Sequence, residues 1–217
     1  MENDPDERPR AGRRRPPKPA TPERLEKAAY HYLERFATSA DNLRRVLMRR
    51  VERSARAHGT DRQAGAAAVD ALVARFLAAG LLDDRAYAEA RAASLHRQGK
   101  GVRAIRQALA QKGVAAEDAD AALDALIRDR TADPDAFEGG GSADGRGGGA
   151  AALDRAAAAA YARRRRLGPY RLRDREESRE RDLAALGRRG FSYDVARLVI
   201  EAEDPESLEA RLEEEDL

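Results

Sequence analysis

Two adjacent carboxylates, Asp83 and Asp84, are the first residues of this chain that invite a chemical reading. Paired carboxylates begin a site for a hard cation, which needs six or more oxygen ligands. The three histidines, His31, His58 and His96, are scattered and show no His-x-x-x-His spacing that would complete a metal cage. Just after Gly80, the pair is better explained as the cap of a helix whose positive N-terminal end favours acids. Gly99-Lys100-Gly101 is too short for a phosphate-cradling loop and follows no strand, so it reads as a turn. There is no cysteine, which removes disulfides and thiolate metal sites. No serine or histidine stands in a recognisable nucleophile context. The expectation is a protein that is not an enzyme and uses no cofactor and no metal.

The basic residues are the remaining candidates. Charged residues make up 37% of the 217, yet the net charge is only +2. Residues 201–217 hold nine acidic residues and one arginine, and the first twenty hold six basic and four acidic, which leaves +8 on residues 21–200. A basic helical body suits nucleic acid or an acidic protein surface, although any single arginine also serves simply as a solvated residue. If Val102, Ile105 and Leu109 face inward at helical spacing, then Arg103 and Arg106 face outward and Lys112 lies at the end. Arg91, Arg97 and Lys100 precede them. The run Arg163–Arg166, represented by Arg164 and Arg165, and the pair Arg188, Arg189 offer a second basic patch. These ten positions are the candidate partner-binding residues.

The elements that must position them are all helical, since no segment shows the alternating β-branched pattern of a strand. Residues 1–20, with five prolines, read as a disordered basic tail. Residues 21–80 form a first three-helix repeat. It opens with Thr21-Pro22, a capping hydroxyl before a proline at the first helical position. Leu25, Ala28, Ala29, Tyr32 and Phe36 mark the buried face of its first helix. Leu43, Val46, Leu47 and Val51 mark the second, which starts at Ser39 or Asp41, and Val69, Leu72, Val73, Phe76 and Leu77 mark the third. Residues 81–130 form a second repeat, with Tyr87, Ala88, Ala92 and Leu95, then Val102, Ile105 and Leu109, then Ala119, Ala122, Leu123 and Leu126 inward. Residues 131–150 read as a flexible glycine-rich linker, and 151–200 as a third repeat that begins near Leu153. Residues 201–217 are an acidic extension whose charge would screen the basic faces, so that its deletion would tighten binding. The fold class is all-α, an elongated array of tandem three-helix, helix-turn-helix-like repeats.

Leu109-Ala-Gln-Lys-Gly-Val114 returns as Leu186-Gly-Arg-Arg-Gly-Phe191. Together with Tyr32-Leu33, Arg35, Ser39 and Leu43, and with Gly80, Leu82-Asp83-Asp84, Tyr87-Ala88, Gly99, Ile105, Leu109 and Lys112-Gly113-Val114, this pattern resembles the RecX family of bacterial regulators of the RecA recombinase. The match covers about residues 25–127 and, more thinly, 153–200. Two departures stand out: Met48-Arg49-Arg50-Val51 replaces a usual Lys-Gly helix end, so the helix should continue, and the glycine-rich segment before the third repeat is unusual.

The resemblance implies a modulator that lies in the groove of RecA filaments, inhibits their ATPase, strand-exchange and coprotease activities, and so acts in DNA repair, homologous recombination and the SOS response. Its partner would be the RecA filament, with single- or double-stranded DNA a further candidate. The different-class alternative is a direct DNA-binding module built on the helix trios. No secretory signal and no apolar run of about 20 residues is present, so a cytoplasmic, membrane-free monomer is expected.

Overall fold

The computed structural model describes residues 17–132 and 146–215, so the expected tail up to residue 16 and the centre of the expected linker, 133–145, lie outside the described residues. Among the described residues every regular element is helical: α1 (Pro22–Leu33), α2 (Ala40–His58), α3 (Arg62–Ala78), α4 (Asp84–Arg97), α5 (Val102–Gln111), α6 (Ala116–Ala132), α7 (Arg146–Arg165), a 3-10 turn (Gly168–Tyr170), α8 (Arg175–Gly187), α9 (Tyr193–Glu201) and α10 (Pro205–Glu215). The chain divides into two compact units. Unit 1 comprises the residues up to Phe36 and Leu43–Ala79, and unit 2 comprises Ala37–Asn42 and Gly80 onward.

In unit 1, the Thr21 hydroxyl caps α1 by accepting the Arg24 N–H at 3.4 Å, with Pro22 inside the first turn. Asp61 caps α3 through Gln63 and Ala64 at 2.7 and 3.2 Å. Leu43, Leu47 and Val51, four apart on α2, are buried, as are Val69, Leu72, Val73 and Phe76 of α3 and Leu25 and Ala29 of α1. A Cβ on Gly65 would sit 2.6 Å from Val51 Cγ1, so the Val51 side chain of α2 packs directly on the backbone of α3 at that point. Two expected core residues are exposed instead. Leu77, 44% exposed, falls at the edge of the stripe formed by residues 69, 72, 73 and 76. Phe36, 49% exposed, lies beyond the end of α1 at Leu33 and rests on the Tyr32 ring at 5.1 Å. Residues 18–20, expected in the disordered tail, are tied down: Ala20 N–H donates to Ser54 at 2.9 Å and Arg24 donates to the Pro19 carbonyl at 3.1 Å.

In unit 2, α4, α5 and α6 bury Ala88, Ala92, Leu95, Val102, Ile105, Leu109, Ala119, Ala122 and Leu123. Tyr87 and Leu126 pack only partly buried against this core. Leu153 of α7 belongs to the same core, while Ala157, Ala158, Tyr161 and Ala162 of α7 pack with Leu186, Phe191, Ala196, Val199 and Ile200. One helix therefore serves two repeats. The two ends of the expected linker over 131–150 are helical, since residues 131–132 close α6 and α7 already runs from Arg146 through Gly147–Gly149, while 133–145 lie outside the described residues. A Cβ on Gly149 would lie 2.9 Å from Ile127, so that glycine provides close helix packing where its composition suggested flexibility. The acidic C-terminus is likewise not a separate extension. Leu208 of α10 is fully buried in the core that α7 and α9 share, with the acidic side chains Glu206, Glu209, Glu213 and Glu214 outside.

Candidate interaction surface

The echo between residues 109–114 and 186–191 is reproduced hydrogen bond for hydrogen bond. Lys112 and Arg189 donate their N–H to Leu109 and Leu186 at 2.9 Å, and Val114 and Phe191 donate to those same carbonyls at 3.1 and 3.4 Å. Gly113 and Gly190 hold positive φ of 73° and 93°, as a helix ended in this way requires. The α4–α5 connection ends α4 similarly, with Gly99 at φ 74° and Lys100 N–H on the Leu95 carbonyl at 3.1 Å.

These turns meet. Gly101 N–H donates to the Arg189 carbonyl at 3.0 Å, and the Arg189 guanidinium donates to the Gln98 carbonyl at 3.1 Å while lying 4.6 Å over the Tyr161 ring. A Cβ on Gly99 would be 2.9 Å from Arg164 Nη2, and one on Gly190 would be 2.4 Å from the Ala104 Cβ. The result is one basic neighbourhood around the α4–α5 turn. Exposed Arg97 and Arg103 and half-buried Lys100 come from the second repeat, and exposed Arg164, Arg165 and Arg188 from the third.

The remaining candidates have other settings. Arg189 is spent on Gln98 and Tyr161 and acts as a staple inside the surface. Arg106 is exposed but bonded to Asp120 at 2.9–3.0 Å, which offsets much of its charge. Arg91 is half-buried on α4. Lys112 ends α5, about 15 Å from its start by helical rise, and its carbonyl accepts the Ser39 hydroxyl.

Sequence reading missed the groups that hold this surface together. Asp154 of α7 accepts the Val102 N–H at the start of α5 at 2.7 Å, and burial pushes its pKa up despite that bond. It is the lone carboxylate in the alanine-rich stretch 147–162, and that isolation was the available signal. The Asp83–Asp84 pair divides its labour. Asp83 caps its own helix through Ala86 N–H at 2.9 Å, whereas Asp84 accepts the Ala40 N–H at the start of α2 at 2.7 Å. Burial raises the Asp84 pKa, and the nearby charges of Asp118, Asp83 and Asp41 add to it. Among the described residues no cluster of three or more acidic or histidine side chains could hold a metal, and no helix is long and apolar enough to cross a membrane.

Comparison with known proteins gives the family and the fold. Residues 83–123 match the family model described as RecX, second three-helix domain. The Regulatory protein RecX of Myxococcus xanthus (strain DK1622) is 41% identical over 200 residues, covering 91% of this chain and 95% of that protein. The crystal structure of RecX from Lactobacillus salivarius shares the fold with a TM-score of 0.53 at 18% identity, over 84% of this chain and 96% of that one. With a full-length relative at 41% identity and the second-repeat motif in its matched place, this chain belongs to the RecX family of regulatory proteins.

Proposed function

We propose that this protein is a non-enzymatic regulator that binds the RecA nucleoprotein filament in the cytoplasm and lowers its ATPase, strand-exchange and coprotease activities. The observation that carries this reading is the basic neighbourhood of Arg97, Lys100, Arg103, Arg164, Arg165 and Arg188, contributed by two repeats packed together. Such a surface attracts an acidic groove and speeds encounter with it. Direct reading of DNA by the helix starts has less support. A carboxylate already takes the first N–H of α5 (Asp154) and of α2 (Asp84), and that negative charge disfavours a phosphate at either helix start.

The test is single-stranded-DNA-dependent ATP hydrolysis by the host RecA, with this protein at substoichiometric amounts. Hydrolysis should fall. Charge reversal of Arg103 and Arg188 together should weaken the effect about tenfold or more, the equivalent of about 1.4 kcal/mol. The same reversal at Arg106, already paired with Asp120, should do less. Unchanged hydrolysis together with steeply salt-dependent binding to bare DNA would replace this reading with the DNA-binding one.

A further inference from the structure

Two helix starts in unit 2 are held in the same way. At α2, Ala40 N–H is taken by Asp84, 44 residues later, and at α5, Val102 N–H is taken by Asp154, 52 residues later, both at 2.7 Å. Each of these carboxylates belongs to the helix that opens the following repeat, Asp84 as the first residue of α4 and Asp154 in the middle of α7. Beside each bond, the residue before the helix start reaches a carbonyl of that following repeat: Ser39 Oγ donates to Lys112 O, and Gly101 N–H donates to Arg189 O. The next residue in both cases is a left-handed glycine pressed against the same helix start. Cβ atoms on Gly113 and Gly190 would lie 2.0 Å from Asp41 Oδ2 and 2.4 Å from the Ala104 Cβ. A carboxylate, a carbonyl and a glycine therefore grip a helix start twice, at corresponding positions of the repeat.

The second grip matters for the basic surface. Gly101, the cap residue of α5, makes no side-chain hydrogen bond to the helix start, and Asp154 supplies an acceptor for its first N–H. Val102 is 6% exposed, which leaves its N–H little access to water as a substitute. Arg103 follows Val102 directly and Arg188 stands two residues before Gly190, so any slip at this junction moves the two arginines relative to each other.

We propose that Asp154 is a positioning residue for partner binding, locking the third repeat in register on the second so that Arg97, Arg103, Arg164 and Arg188 act as one anion-binding surface. The partner-binding part of this inference rests on the reading given under Proposed function, whereas the locking does not.

The absence of native cysteine allows a direct measurement. Spin labels on exposed Ala110→Cys of α5 and Ala184→Cys of α8 report the distance between the repeats by pulsed electron resonance in the full chain. The parent should give a narrow distribution and D154A a broad one. D154N, which keeps a carbonyl oxygen for the N–H, should restore most of the narrowness. V102P removes the donor from the other side of the bond at a first helical position that tolerates proline, and should broaden the distribution as D154A does. It also keeps the test open if D154A does not fold. Affinity for RecA filaments on single-stranded DNA, read by fluorescence anisotropy, should fall about tenfold in D154A and recover in D154N. An unchanged distance distribution in both D154A and V102P overturns the locking. A broadened distribution with unchanged filament affinity overturns the positioning role. A parent that binds no filament overturns the proposed function, and the distance measurement then decides the locking by itself.

Discussion

Asp182, with 2% of its side chain exposed, has a set of donors rather than a single partner. Arg171 Nε and Nη2 lie at 2.7 and 2.8 Å, and Gly168 N–H at 3.1 Å. Burial alone would raise its pKa, but these donors and the charges of Arg171 and Arg181 outweigh burial and hold it below the usual aspartate value. Because the folded pKa is depressed, the stabilisation is present above the unfolded aspartate value of about 3.9 and is lost as the pH falls through the folded value. Asp182→Asn should therefore lower stability at neutral pH and flatten the loss of stability below about pH 4, read by far-ultraviolet circular dichroism during acid titration. Arg171→Ala leaves the carboxylate buried without its main partner and should cost about 3–5 kcal/mol in urea unfolding. A cost under about 1 kcal/mol would mean that the pair behaves like an exposed one.

At the scale of the element, glycines separate packing from conformation. Gly113→Ala and Gly190→Ala combine a positive φ with a Cβ placed within 2.0–2.4 Å of Asp41 or Ala104. Both should destabilise by about 2–4 kcal/mol, strain and overpacking together. Gly59→Ala and Gly80→Ala have positive φ and open space, so about 1–2 kcal/mol is expected from conformation alone. Thermal unfolding of the four variants ranks them, and equal losses would remove packing from the account. These glycines also show what the sequence makes legible. Gly80, Gly99, Gly113 and Gly190 are readable as helix ends because each follows an apolar periodic stretch, and Leu109–Val114 announces its partner turn by simple repetition. The start of α7 was not readable. Gly147–Gly149 suit a linker by composition, and only the position of Ile127 across the packed helices shows why Gly149 belongs to a helix. The basic candidates were found as residue types, but which of them lie together depends on hydrogen bonds between turns 91 residues apart, such as Arg189 to Gln98, which no local pattern encodes.

On the scale of the molecule, α10 changes what a truncation means. Leu208 is fully buried in the core that includes Tyr161 and Ile200, so removing residues 204–217 should uncover that core and lower the melting temperature of unit 2 by several degrees. Tighter partner binding without loss of stability would instead restore the acidic segment as a screen. Lengthening the sequence between residues 138 and 142 by ten glycine and serine residues should leave partner affinity within about twofold, because contacts between α5, α7 and the Arg189 turn fix the two repeats and closure entropy grows only slowly with the number of connecting residues. A drop beyond that, measured by the anisotropy assay, would return control of the surface to the connection. The paired grips on helix starts carry a consequence for ancestry. Residues 80–130 hold both halves of the connector: Asp84 and Gly113, which grip the start of α2, and Gly101-Val102, which is gripped by the segment that follows. A tandem duplication of that stretch would arrive with its joints already made, so lineages could gain or lose a repeat in a single genetic event without first evolving a new interface.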